Sequence, residues 1–311
     1  MKIIFLSDTH LGFDFPLSER RISNNRGEDF FKSFESVLDF AKKDNADLVL
    51  HGGDLFYRSK VPYFIRDRVY DMISTFTSRT KIPFCIVPGN HERSKLPESL
   101  FIPNNQFYCF DNAESFDFEN VSIFGFPYEN GKLNQNFTGL QNSLLKNLDV
   151  ERFNILVMHH IISGSKVENH TFHQGDDVID IKDISEKFDL VLCGHIHRHQ
   201  VLQKGKRKII YSGSTERTST QEINEIKGFV QIIISDKSYN YKFIPLYSRP
   251  MFKINGSTNL SEFEYWYHNL KEVEKKGLFY IKTDKMNYEN SIKMKNLIEK
   301  NGLVYINMRE M

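Results

Sequence analysis

The chain alternates short, continuous apolar runs with stretches in which apolar residues recur every three or four positions. KIIFLS at 2–7 is a continuous run and predicts a buried strand. Over 29–43, Phe30, Phe31, Phe34, Val37, Leu38 and Ala41 fall on one helical face, which predicts an amphipathic helix. DLVL at 47–50 and FCIV at 84–87 predict two further strands, with a helix over 63–78 between them. A strand–helix–strand rhythm calls for a parallel or mixed sheet with helices on its face.

From Gln106 the texture shifts to short strands, FYCF, SFDF and VSIFGF, followed by a helix expected over 140–148. Further strands are expected at 155–158, 190–193, 209–211, 229–234 and 241–245. The expected fold is therefore α/β, with two stacked mixed β-sheets flanked by helices in an αββα sandwich. Arg249-Pro250 marks the expected boundary, giving a main domain at 1–249 and a small α/β domain at 250–311. That tail reads as βαβαβ: PMFKI, a helix over 260–275, LFYIKT, a helix over 289–300, and LVYINM.

Composition adds bounds. With 40% hydrophobic and 26% charged residues in 311, there is apolar material for a sizeable core. A net charge of +1 excludes a strongly basic chain, but not a nucleic-acid substrate, because metals and local patches can neutralise phosphates. The three cysteines, Cys85, Cys109 and Cys193, fit no zinc or redox spacing, and their odd number argues against a disulfide framework. The apolar start reaches Asp8 too soon for a signal peptide, and no run spans a bilayer. The expectation is a soluble, unprocessed cytoplasmic protein with no membrane attachment.

Candidate chemistry lies in five short motifs, each where a strand should end: Asp8-Thr9-His10, Gly52-Gly53-Asp54, Gly89-Asn90-His91-Glu92, His159-His160 and Gly194-His195-Ile196-His197. Loops past the carboxyl ends of strands form the ligand crevice of an α/β sheet, so all five should converge. Residues i and i+2 of an extended segment share a side, so Asp8 and His10 can reach one ion, and His195 and His197 can face the same pair. Mixed imidazole and carboxylate donors suit Mn²⁺, Fe²⁺ or Zn²⁺ better than Ca²⁺. His160 reads as a packing neighbour rather than a ligand, and His170, His173 and His199 read as solvated loop residues.

Together these motifs resemble the signature of calcineurin-like metallophosphoesterases. The resemblance implies one ion held by Asp8, His10, Asp54 and His197, and a second by Asp54, Asn90, His159 and His195, with Asp54 bridging. It implies that His91 orients the phosphate or protonates the leaving oxygen. GGDLF, GHIHRHQVL, YSGSTERTS at 211–219 and KGF at 227–229 resemble the SbcD-type DNA-repair exonuclease branch over residues 1 to 247. That branch implies a Mn²⁺-dependent DNA exo- and endonuclease, with Mg²⁺ as a further candidate ion, and a tail acting as its cap domain. It also implies an SMC-like ATPase partner of the SbcC type and a homodimer, for which the 63–78 helix is a candidate.

Ser212 to Ser219, with Ser214 and Arg217, offers hydroxyls, amides and a guanidinium suited to a phosphate backbone. Lys204, Lys206, Arg207 and Lys208 form a basic run expected near the site, with a solvated hairpin turn as its plain alternative. One departure stands out: where the branch has His after GDLF, this chain has Tyr57, a substrate-side position, which shifts leaving-group protonation to His91. Two rival functions remain at this level: a phosphatase or cyclic-nucleotide phosphodiesterase acting on a small phosphoester, and a non-catalytic subunit binding DNA ends or the ATPase.

Overall fold

The computed structural model describes residues 1–14, 26–100, 106–131, 133–168, 170–254, 260–272, 277–281, 288–300 and 304–307. Its contacts divide the chain into two compact units. One comprises residues 1–13, 30–216 and 226–247, and the other residues 14–29, 217–225 and 248–311.

The first unit is built on two six-stranded sheets. The first contains β1 (Lys2–Leu6), β2 (Leu48–His51), β3 (Phe84–Ile86) and β4 (Phe107–Cys109). The second begins with β5 (Glu114–Phe118), β6 (Val121–Gly125) and β7 (Phe153–Met158). Four two-residue strands follow: β8 (Ile161–Ile162), β9 (Lys166–Val167), β10 (His170–Thr171) and β11 (Val178–Ile179). The second sheet is completed by β12 (Leu190–Cys193), β13 (Gln200–Lys204) and β14 (Arg207–Tyr211). β15 (Gly228–Ser235) and β16 (Ser238–Pro245) return to the first. The strand orders are β16-β15-β1-β2-β3-β4 and β13-β14-β12-β7-β6-β5.

In the first sheet β1 to β4 run parallel, and in the second so do β6, β7, β12 and β14. Strands covered on both faces should read as unbroken apolar runs, and all six residues of β7 are buried. The inner faces meet in one core that includes Phe5, Leu50, Cys85, Ile155, Leu192 and Ile232. Outside the first sheet, α1 (Gly27–Lys43) buries the apolar face seen in the sequence, and α2 (Tyr63–Thr80) buries Ile65, Val69, Ile73 and Phe76. Outside the second, Leu133, Phe137 and Leu144 of α3 (Leu133–Leu145) pack against Leu156 and Tyr211.

The α3 helix starts seven residues before its expected position. Its first turns carry Asn, Gln, Thr and Gly, and only Leu133 and Phe137, four apart, mark the buried stripe there. The 204–208 run also needs correction. β14 is parallel to β12, with Cys193 opposite Tyr211, and motif residues follow the Cys193 end. The Gly205 turn lies beyond Arg207, at the other end of the strand. Five residues at about 3.3 Å each separate the basic hairpin from the motif end. Arg207 there pairs with Glu186 at 2.8 Å.

In the second unit, β17 (Met251–Ile254), β18 (Leu278–Ile281) and β19 (Val304–Asn307) form a parallel sheet, with α4 (Leu260–His268) and α5 (Tyr288–Lys300) between successive strands. Ile254, Phe263, Tyr267, Phe279 and Met294 form its core. The ends of the expected segments at 273–275, 282–283, 303 and 308 lie outside the described residues. Segments 14–29 and 217–225 also belong here, through Arg26 Nη2 donating to the Arg217 carbonyl (2.6 Å) and Arg249 pairing with Asp29 (2.8 Å).

Candidate metal centre

The five motifs follow the carboxyl ends of β1, β2, β3, β7 and β12, and the parallel register carries those ends to one rim of the stacked sheets. Four of the seven expected ligands, Asp8, His10, Asp54 and His195, have left-handed backbones with φ of 53°, 46°, 56° and 81°. Non-glycine residues rarely adopt that region unless the surroundings impose it. Here loops are stitched together. Asp8 N–H donates to Gly53 O (2.9 Å), His10 N–H to Asp54 O (3.1 Å), and Leu11 N–H to Leu55 O (2.8 Å).

The donor atoms crowd together. His10 Nε2 lies 3.0 Å from His197 Nε2, and His197 Nε2 lies 3.8 Å from Asp8 Oδ1. His159 Nε2 lies 3.0 Å from Asn90 Oδ1 and 3.3 Å from Asp54 Oδ2. His195 Nδ1 lies 2.9 Å from the same Asn90 oxygen, and Asp54 Oδ2 lies 4.0 Å from His10 Nε2. Two atoms bound to one ion at about 2.1 Å, and about 90–110° apart, are separated by about 3.0–3.4 Å, so this packing fits shared cations. All seven expected ligands are brought together, and Asp54 stands between the His10 side and the His159 side.

Electrostatics support the fit. Asp8 and Asp54 are buried, and among the described residues neither pairs with arginine or lysine. Burial and the neighbouring His159 hold the His195 imidazole down to about 3, leaving it neutral with a lone pair to offer. Burial opposes charge on His159, yet Asp54 and Asp8 push that imidazole up to about 9. Two buried carboxylates thus demand positive charge, and a proton on His159 supplies it when no ion does.

Glycines next to the expected ligands leave the room those side chains need. A Cβ on Gly89 would strike the Asp54 carboxylate, and one on Gly53, where φ is +99°, would strike the His159 ring.

The surrounding support is harder to see in the sequence. The buried Glu92 carboxylate accepts N–H bonds from Asp54 (3.1 Å), Phe56 (2.7 Å) and Gly89 (2.8 Å), joining the Asp54 and Asn90 loops. Ser7 Oγ donates to Asp8 Oδ2 (2.5 Å) and lies 2.8 Å from Ser212 Oγ. His51 Nδ1 accepts from Gly53 N–H (3.1 Å), so its Nε2 carries the proton and donates to Thr9 Oγ1 (3.0 Å). Burial and His159 push the His51 imidazole down to about 3, keeping that tautomer neutral. His160 is a packing residue: its ring lies between Phe126 and Tyr128, and Nε2 accepts from Glu129 N–H (3.3 Å).

His91 sits at the edge, its side chain 32% exposed. Nδ1 donates to the Tyr57 carbonyl (2.5 Å), which turns Nε2 towards Asp54 Oδ2 at 3.8 Å. The Tyr57 ring lies beside it at 5.5 Å. Two expected substrate contacts have other partners. Ser214 is buried, and its hydroxyl donates to the Glu216 carbonyl (2.8 Å). The Arg217 guanidinium donates to the carbonyls of Glu222, Arg249 and Glu225 at 3.1, 3.2 and 2.9 Å. Small hydroxyls and a lone arginine look the same in sequence whether they face a ligand or satisfy buried backbone.

A family model for calcineurin-like phosphoesterases matches residues 1–199. The DNA double-strand break repair protein Mre11 of Methanosarcina mazei is 31% identical over 229 residues, covering 71% of this chain and 34% of that protein. That of Methanosarcina acetivorans is 29% identical over 259 residues, covering 76% and 37%. The chain spans about a third of the length of these curated relatives. A dimetal phosphatase from Danio rerio shares the fold, with a TM-score of 0.51 at 8% identity over 78% of this chain and 95% of that one. The chain belongs to the calcineurin-like phosphoesterase family.

Proposed function

We propose that the chain is a two-metal-ion nuclease that cleaves DNA in break repair or end processing. Asp8, His10, Asp54 and His197 would hold one ion and Asp54, Asn90, His159 and His195 the other, with Mn²⁺ as the working metal. The observation that carries this reading is the clustering of seven donors from five loops around the shared Asp54 carboxylate. Such ions supply charge neutralisation to a phosphoryl group and lower the pKa of water towards neutrality. The protein's own part is to fix the donors before substrate arrives and to place a proton. His91 is oriented to place that proton. Its Nδ1–H is committed to the Tyr57 carbonyl, so Nε2 is the atom left to serve the leaving oxygen.

DNA as substrate is supported by the Mre11 relatives, named for DNA double-strand break repair; an SMC-like ATPase partner of the SbcC type and a homodimer are carried over from the resemblance to the SbcD-type branch. Residues 250–311, the largest segment of the second unit, would act as the cap domain. Among the described residues no helix is long and apolar enough to cross a membrane. The test is a panel of labelled duplex and single-stranded DNA, RNA and bis-p-nitrophenyl phosphate, with Mn²⁺ or with EDTA. Mn²⁺-dependent DNA cleavage that EDTA abolishes is expected. Hydrolysis of the chromogenic ester with no nucleic acid cut would point to a phosphodiesterase for small substrates.

A further inference from the structure

We infer that the Tyr57 ring, backed by Phe13, is a shelf on which a nucleobase beside the scissile phosphate stacks; this rests on the nuclease reading above. The backbone aims this ring. Tyr57 N–H donates to Leu11 O (3.1 Å), and Leu11 and Phe56 form a parallel bridge, so the residue is tied to the loop carrying His10. The ring centre lies 5.8 Å from His10, nearly edge-on at 81°, and 5.5 Å from His91. Phe13 lies 4.8 Å behind it and itself stacks on the buried Phe30 at 4.6 Å and 15°. The shelf is therefore braced from the core and stands next to a metal-ligand histidine.

Two features separate this ring from a core tyrosine. Buried tyrosines place their hydroxyls, as Tyr211 does, accepting from Ile162 N–H and donating to the His160 carbonyl, both at 2.9 Å. Tyr57 is only partly buried, and among the described residues its hydroxyl has no hydrogen-bond partner. The guanidinium of exposed Arg58 lies over the ring, 5.4 Å from its centre, and would move aside to the backbone when a base takes that face. An aromatic face with a neighbouring cation is the equipment that grips single-stranded nucleic acid: the ring takes the base and the cation the backbone. Every base has a π-face, so the shelf would place the strand without choosing sequence.

The test uses the full chain with Mn²⁺ and two single-stranded oligodeoxynucleotides, one natural and one with abasic residues flanking the cleaved bond. Tyr57→Ala is expected to lower kcat/KM on the natural strand between about 5- and 150-fold, the range set by losing one stacked base. On the abasic strand, Tyr57→Ala and wild type should be cleaved alike. Tyr57→Phe, which restores the ring alone, should rescue most of the loss. Calorimetric titration with Mn²⁺ should give Tyr57→Ala the wild-type affinity. Tyr57→Phe failing as badly as Tyr57→Ala would assign the work to the hydroxyl and overturn the shelf. An equal Tyr57→Ala loss on both strands, or none on the natural strand, would also overturn it. If wild type cuts no oligonucleotide, the nuclease reading falls and the shelf with it; cleavage undiminished by Tyr57→Ala sinks the shelf alone.

Discussion

Replacing Glu92 with Gln tests how the two central loops are held together. One carboxylate oxygen accepts Phe56 N–H at 2.7 Å, and the other accepts Gly89 N–H at 2.8 Å and Asp54 N–H at 3.1 Å. A carboxamide has one acceptor oxygen, so in either orientation its NH₂ faces at least one buried N–H. Each donor left unsatisfied costs about 1–3 kcal/mol, and two face each other here, so the change should cost roughly 2–6 kcal/mol. That corresponds to a fall in Tm of about 4–24 °C for a unit of this size. Burial and the Asp54 carboxylate push the Glu92 carboxyl up to about 8, while N–H bonds from Phe56 and Gly89 pull it down. Cations bound beside Asp54 would remove much of the opposition, so Gln is a poor mimic in the loaded protein. Calorimetric melting with Mn²⁺ reads the stability, and titration reads affinity, expected to fall about 10- to 100-fold as the Asp54 and Asn90 loops loosen. A Glu92→Gln protein that melts within a degree of wild type would refute the acceptor role, since the neutral amide would then serve as well.

Four further substitutions probe other parts. Ser7→Ala removes the hydroxyl held against Asp8 and should weaken Mn²⁺ binding about tenfold or more by titration, with the far-UV spectrum unchanged. Gly89→Ala puts a methyl group into the Asp54 carboxylate, and elemental analysis should find metal occupancy sharply reduced. His91→Ala should lower kcat about 10²- to 10⁴-fold while both ions stay bound; turnover at the wild-type rate would remove His91 from proton transfer. Arg217→Met strips a donor from three carbonyls of the second unit. Hydrogen exchange should quicken in 217–225 and at 249, while turnover of bis-p-nitrophenyl phosphate is unaffected.

The sandwich was legible because most of its parallel strands are covered on both faces, so β1, β2, β7 and β12 appear as unbroken apolar runs. The convergence of the motifs was legible for a related reason: each sits just past a strand end, and parallel strands bring such ends together. Glu92, Ser7 and His51 were not legible as supports, because their partners, apart from the Asp8 carboxylate beside Ser7, are backbone groups or hydroxyls up to 206 residues away. The Ser212–Ser214 stretch suggests substrate contact in sequence because only the fold reveals that β14 delivers it into the interior, against Ser7 and Asp8. The 204–208 hairpin fails likewise: its residues form the turn the sequence allows, but its end of the sheet depends on strand direction.

The four left-handed residues among the expected ligands explain why the site should behave as one piece. Each such residue costs about 1–2 kcal/mol against an ordinary conformation, so the four together hold several kcal/mol of local strain. Asp8 leans on Gly53 O, His10 on Asp54 O, and His195 N–H on the Asp8 carboxylate at 3.2 Å, so the strain of each loop is borne by the next. The donors are consequently set before any ion or phosphate arrives, and binding need not spend energy ordering them. It follows that releasing one loop should relax its neighbours: a lesion at Ser7 or Glu92, neither of them an expected ligand, should weaken both ions rather than the nearer one alone.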